Sequence, residues 1–63
     1  MKHRKYIIEV LKNNEVIRKS GIVLAIDFYC VMESNEYKEI KKSLNNGEKI
    51  NIRLATKDEI VAL

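Results

Sequence analysis

The chain has 63 residues, a formal net charge of +3 and one cysteine. That length makes a single domain over 1–63 and excludes a large core, because so short a chain buries only about 60% of the surface it exposes when unfolded. Cys30 has no partner for an internal disulfide and no His, Cys and carboxylate cluster suggests a metal, so self-association is the remaining way to reinforce the domain. The mildly basic balance permits nucleic-acid binding without demanding it. A lone cysteine suits a reducing compartment, the first residues do not read as a signal peptide, and the longest apolar run is too short to span a bilayer. The expected location is the cytoplasm, with no membrane contact.

Lys2, His3, Arg4 and Lys5 form a basic lead-in, either a solvated terminus or an arm that contacts phosphates. Tyr6 to Lys12 reads as a first strand. Tyr6, Ile8 and Val10 share one face; Ile7, Glu9 and Leu11 share the other. A helix would group Ile7, Val10 and Leu11, but Asn13-Asn14 tolerates the left-handed backbone of a tight hairpin turn and favours strands. Glu15 to Lys19 is the returning strand. Ser20-Gly21 marks a bulge or bend, so the second and third strands can be one long strand kinked at Gly21.

Ile22 to Met32 is the longest apolar run, and the chain is expected to be organised around it. Its even positions are apolar throughout and its odd positions hold one acid, Asp27. Period two predicts a strand with Cys30 on its strong face. The mixed face, Val23, Ala25, Asp27, Tyr29 and Val31, lacks obvious cover within the chain and is the expected interface with a second subunit or partner. Asp27 must be bonded: to backbone N–H groups, to Arg18 or Arg53, or to a neighbour.

Ser34 can cap a helix, with Glu36 in its first turn and Tyr37, Ile40 and Leu44 as its apolar stripe. Asn45-Asn46-Gly47 ends it, with Gly47 in the positive-φ cap position. Lys49 to Ala55 alternates cleanly: Ile50, Ile52 and Leu54 inward, Lys49, Asn51 and Arg53 outward. After a turn at Thr56 to Asp58, Glu59 to Leu63 reads as a short last strand. A final helical turn is the alternative, since Thr56 and Glu59 have the spacing of a capping box.

Chemistry is sparse. His3 lies in the basic lead-in, Cys30 reads as a small core residue, and Gly21 and Gly47 are too few for a phosphate-binding loop. An enzyme is not expected, and no cofactor is implied. Two basic groups stand out as candidate nucleic-acid contacts: Lys2, Arg4 and Lys5, and the row Lys49, Asn51 and Arg53. Tyr6, Tyr29 and Tyr37 are core-edge residues or stacking surfaces for bases.

The run Leu11-Lys12-Asn13-Asn14-Glu15-Val16, then Gly21, then Asp27, resembles the first motif of the Sm-like (Lsm, Hfq-type) small barrels. Ile52-Arg53 and Ile60-Val61 are similar to the second. Cys30 and Val31 stand where that family has its base-contacting Asn, and Leu54 where it has a Gly. The resemblance implies a curled five-stranded barrel, oligomeric and RNA-binding.

The expected fold is α+β: a small, strongly bent antiparallel sheet, or SH3/Sm-like barrel, with one packed helix in the order β-β-β-α-β-β. The expected function is a non-enzymatic nucleic-acid-binding module acting as a homo-oligomer through its basic face. The alternative is a protein-interaction module, a small regulator or inhibitor that docks on a larger partner.

Overall fold

A computed structural model of the chain describes residues 2–61. The elements are β1 (Arg4–Lys12), β2 (Glu15–Lys19), β3 (Val23–Ala25), α1 (Phe28–Met32), α2 (Asn35–Lys42), β4 (Glu48–Leu54) and α3 (Lys57–Val61). The class is α+β, as expected: a four-stranded antiparallel sheet that does not close, with three short helices.

The chain is organised around β1. One edge of β1 carries β4 from Tyr6 to Lys12; the other carries β3 at its start and β2 at its end. With neighbours on both sides, β1 holds most of the buried side chains: Tyr6, Ile7, Ile8, Glu9 and Val10. Tyr6, Ile8 and Val10 point to the core face, where Val23, Ala25 and Val31 complete the buried cluster and Tyr37, Ile40, Ile50 and Ile52 pack against it. Ile8 and Val31 have no exposed surface, and each such side chain contributes roughly 1.5–3 kcal/mol of burial.

β2 and β3 follow one edge of β1 as a single interrupted strand. Across that edge, Ser20-Gly21-Ile22 lies opposite Ile7-Ile8, one residue too many, which is the expected kink. Ser20 repairs the ladder there. Its N–H donates to the Ile8 carbonyl at 2.8 Å, and its Oγ accepts from the Ile8 N–H at 3.0 Å. A second irregularity between Val10 and Leu11 leaves Ile17 as the extra residue of β2. The β1–β2 hairpin turns on two residues, Asn13 and Asn14, at φ of 54° and 65°. This is the mirror-image turn whose twist suits a two-residue hairpin.

The Ile22–Met32 strand is not formed as expected. Only Val23–Ala25 is extended; Phe28–Met32 is helical. Asp27 caps that helix, its Oδ1 accepting from the Cys30 N–H at 2.9 Å. An acid inside an apolar run costs little at an exposed helix start and a great deal in a core. Of the partners weighed for Asp27, a backbone N–H is the one found. The switch to a helical period also turns Cys30 out of the core face, and its side chain is exposed.

Ser34 caps α2 as anticipated, its Oγ accepting from the Tyr37 N–H at 3.2 Å. The helix closes at Ser43 rather than near Gly47, which instead takes φ of 81° in the turn leading into β4. The final segment follows the alternative reading. Thr56 Oγ1 accepts from the Glu59 N–H at 3.3 Å, and Glu59 Oε1 accepts from the Thr56 N–H at 2.8 Å. That reciprocal pair starts α3, so no last strand forms over 59–61. The part of that expectation covering 62–63 lies outside the described residues.

Candidate interaction surface

The two faces of the sheet have different chemistry. On the reverse face, Glu9 of β1 is 8% exposed and fully bonded. Its Oε2 receives Arg53 Nε at 2.9 Å and its Oε1 receives Asn51 Nδ2 at 3.0 Å. Arg53 also donates to Glu59 through Nη1 at 2.7 Å and Nη2 at 2.9 Å. Lys19 Nζ reaches Glu59 Oε2 at 3.1 Å from the far side of the sheet. The network ties β4, β1, α3 and the end of β2 together. Hydrogen bonds from Asn51 and the Arg53 guanidinium hold the Glu9 carboxyl below its usual range, and Arg53 holds that of Glu59 far below it.

Two of the six candidate nucleic-acid contacts take part in this network. Asn51 and Arg53 both bond Glu9, and Arg53 bonds Glu59 as well. The sequence pattern put them outward correctly. It gave no hint that Glu9, three strands earlier in the chain, stands directly opposite Asn51. Lys49, the third member of the row, makes no ion pair among the described residues, and neither do Lys2, Arg4 or Lys5. Arg4 and Lys5 belong to β1, opposite Ala25 and Leu24, rather than to a free arm. Lys2, His3 and Arg4 line a shallow hollow with Ile26.

The expected interface is largely internal. Val23, Ala25 and Val31 are 5%, 4% and 0% exposed and belong to the core cluster, so they present nothing to a partner. The chain covers them itself, because α1 and α2 fold over the face that a continuous strand would have left open. Asp27 is occupied as a helix cap, and only Tyr29 of the five is fully outward.

An apolar surface does exist, at another place. Leu54 stands opposite Tyr6 on the core face, and the Phe28 ring lies 5.2 Å from the Tyr6 ring, tilted by 57°. Met32 follows Phe28 by one helical turn. Tyr6 is 3% exposed, yet Phe28 is 50% exposed, Leu54 48% and Met32 44%. Three large apolar side chains thus flank one end of the core without cover.

This patch adjoins the open edge of β4. The Ala55 N–H donates to the Lys5 carbonyl, which sets the phase of the β1–β4 ladder: odd residues of β4 bond to β1, and even residues turn their backbone groups outward. Ile50 and Ile52 therefore carry N–H and C=O groups with no partner among the described residues. The Leu54 carbonyl accepts from Arg53 Nη1 at 3.2 Å. Sequence pattern alone missed this surface, since it assigned Phe28, Met32 and Leu54 to the core face and says nothing of which strand ends a sheet.

Among the described residues no group of three His, Cys, Asp or Glu side chains is arranged to hold a metal ion, and no helix is long and apolar enough to cross a membrane. No family model, no curated protein and no solved structure matches the chain.

Proposed function

We propose that the chain is a non-enzymatic interaction module that docks on another protein through the Phe28, Met32 and Leu54 patch and the neighbouring edge of β4. It is a small regulator or inhibitor in kind. The observation that carries this reading is that Phe28 and Leu54 stand half exposed on either side of buried Tyr6, with Met32 one turn beyond Phe28, and that Leu54 lies on a strand whose outer edge is open. Exposed apolar clusters of this sort mark interaction sites, and a free strand edge offers main-chain bonds to whatever covers it. Cys30, exposed and without a disulfide partner, fits a reducing compartment such as the cytoplasm.

The test is site-specific photo-crosslinking in cells that produce the chain. A benzophenone amino acid at Phe28 is expected to give protein adducts, whereas the same group at Glu36, on the exposed side of α2, gives none. Equal yields at the two positions, or no adduct at either, would contradict the reading.

One observation favours a second reading, nucleic-acid binding. Lys2, Arg4 and Lys5 make no ion pair among the described residues and lie at the same end of the sheet as half-exposed Phe28, and cations beside aromatic faces suit a single-stranded ligand. That reading requires affinity for a labelled single strand to fall steeply between low and high salt. An apolar docking site is nearly indifferent to salt.

A further inference from the structure

We propose that the occupant of the β4 edge is a second copy of this chain, paired antiparallel to it about a two-fold axis at Ile52. The inference rests on the docking reading above and names its partner. β4 is the best edge the fold offers for pairing. It is seven residues long and regular, whereas β3 has three residues and β2 has five with Ile17 bulged out of register. Short and bulged edges resist pairing; long regular ones invite it.

The sequence of β4 favours one register for pairing with itself. Because even residues turn their backbone groups outward, the pairs bonded across a two-fold axis must be even with even. An axis at Ile52 sets Ile52 against itself, Ile50 against Leu54 and Asn51 against Arg53, with no like charges opposed. An axis at Asn51 sets Lys49 against Arg53 twice, and like charges directly opposite destabilise a sheet. An axis at Ile50 leaves Leu54 beyond the paired span. An axis at Arg53 also gives Leu54 an apolar neighbour, Ile52, but sets Arg53 against itself; the Ile52 register covers the exposed Leu54 side chain with the partner's Ile50 without opposing like charges, on the core face of a sheet that now runs through both copies. Such an interface is isologous and closes on itself, so assembly stops at two. It also answers the small core of a 63-residue chain, in which Phe28, Met32 and Leu54 remain half exposed.

Sedimentation equilibrium on the full chain, with three variants, tests this. The wild type is expected at twice its 7.4 kDa mass, with Leu54→Pro at the single mass and an unchanged circular dichroism spectrum. Proline there removes only an outward N–H, and edge strands tolerate it. If Leu54→Pro fails to fold, Leu54→Lys keeps the backbone and takes its place, again expected to be monomeric. Under oxidation, Cys30→Ser with Ile52→Cys is expected to form a disulfide dimer, because bonded antiparallel pairs lie about 5.5 Å apart between Cα atoms. A wild type that stays at 7.4 kDa to high micromolar concentration overturns the second-copy proposal, and so does a folded Leu54 variant that remains dimeric. The two readings fail differently. Phe28 adducts to a different protein, with a monomeric wild type, would refute the second copy and keep the docking surface; absence of any Phe28 adduct refutes both.

Discussion

Arg53 Nε donates to Glu9 Oε2 at 2.9 Å across adjacent strands, while the rest of the same guanidinium grips Glu59 from α3. One planar fork thereby satisfies two carboxylates that would otherwise repel each other above a buried strand. Lysine has no such geometry. Arg53→Lys and Arg53→Ala are both expected to destabilise the fold, by about 1.5–3 kcal/mol for the alanine, the scale of hydrogen bonds to charged groups. Urea denaturation checks this, and lysine should recover only a minor part of the loss.

The same network fixes the response to acid. Glu9, Glu48 and Glu59 are all held below the ordinary carboxyl value of 4.5, Glu48 chiefly by the Asn45 backbone N–H. A carboxyl lowered on folding lends stability that is complete above its unfolded value and drains as pH falls through its folded one. Stability is therefore expected to be level above about pH 5 and to decline steadily below 4.5. Glu59→Gln should flatten that decline more than Glu15→Gln, since Glu15 makes no ion pair among the described residues. Thermal melts across the acid range read both slopes.

The helical start at Asp27 can be checked by its cap. Asp27→Ala leaves the Cys30 N–H without its acceptor and is expected to cost about 1 kcal/mol, with Asp27→Asn or Asp27→Ser nearly neutral. Were Asp27 instead part of a strand buried against a partner, alanine would stabilise. Denaturation midpoints of the three variants distinguish the cases.

The hairpin turn makes an opposite pair of predictions at one position. With Asn14 at φ of 65°, Asn14→Gly is expected to be neutral or stabilising. Asn14→Val should cost about 1–2 kcal/mol, because a β-branched residue is strained in the left-handed region. Denaturation of both variants reads the difference.

Much of the frame was legible because its signals are local. The alternation of Tyr6 to Lys12, the Asn13-Asn14 turn, the bend at Gly21, the Ser34 cap and the period of β4 each depend on neighbours within a few residues. What the pattern hid was long-range. In Ile22–Met32 the even apolar positions satisfy a strand, but Phe28, Val31 and Met32 satisfy a helix equally well, and an apolar run this short does not discriminate. Asp27 was the available clue: seven residues before the Ser34 cap, it marks a helix start. Pairing was the second blind spot. That Glu9 meets Asn51 and Arg53, and that β1 is central while β4 is an edge, follow from strand order, which periodicity does not encode. Hence the bonds of Asn51 and Arg53 to Glu9, and the burial of Val23, Ala25 and Val31 in the core cluster, were not legible in the pattern.

Amide hydrogen exchange reads the outer edge of β4 residue by residue. Asn51 and Arg53, whose N–H groups face β1, are expected to exchange slowly at every protein concentration. Ile50, Ile52 and Leu54 should exchange fast in dilute solution and become protected as concentration rises and the edges of two copies meet. Fast exchange at all three even positions across the whole concentration range would contradict the pairing of this edge.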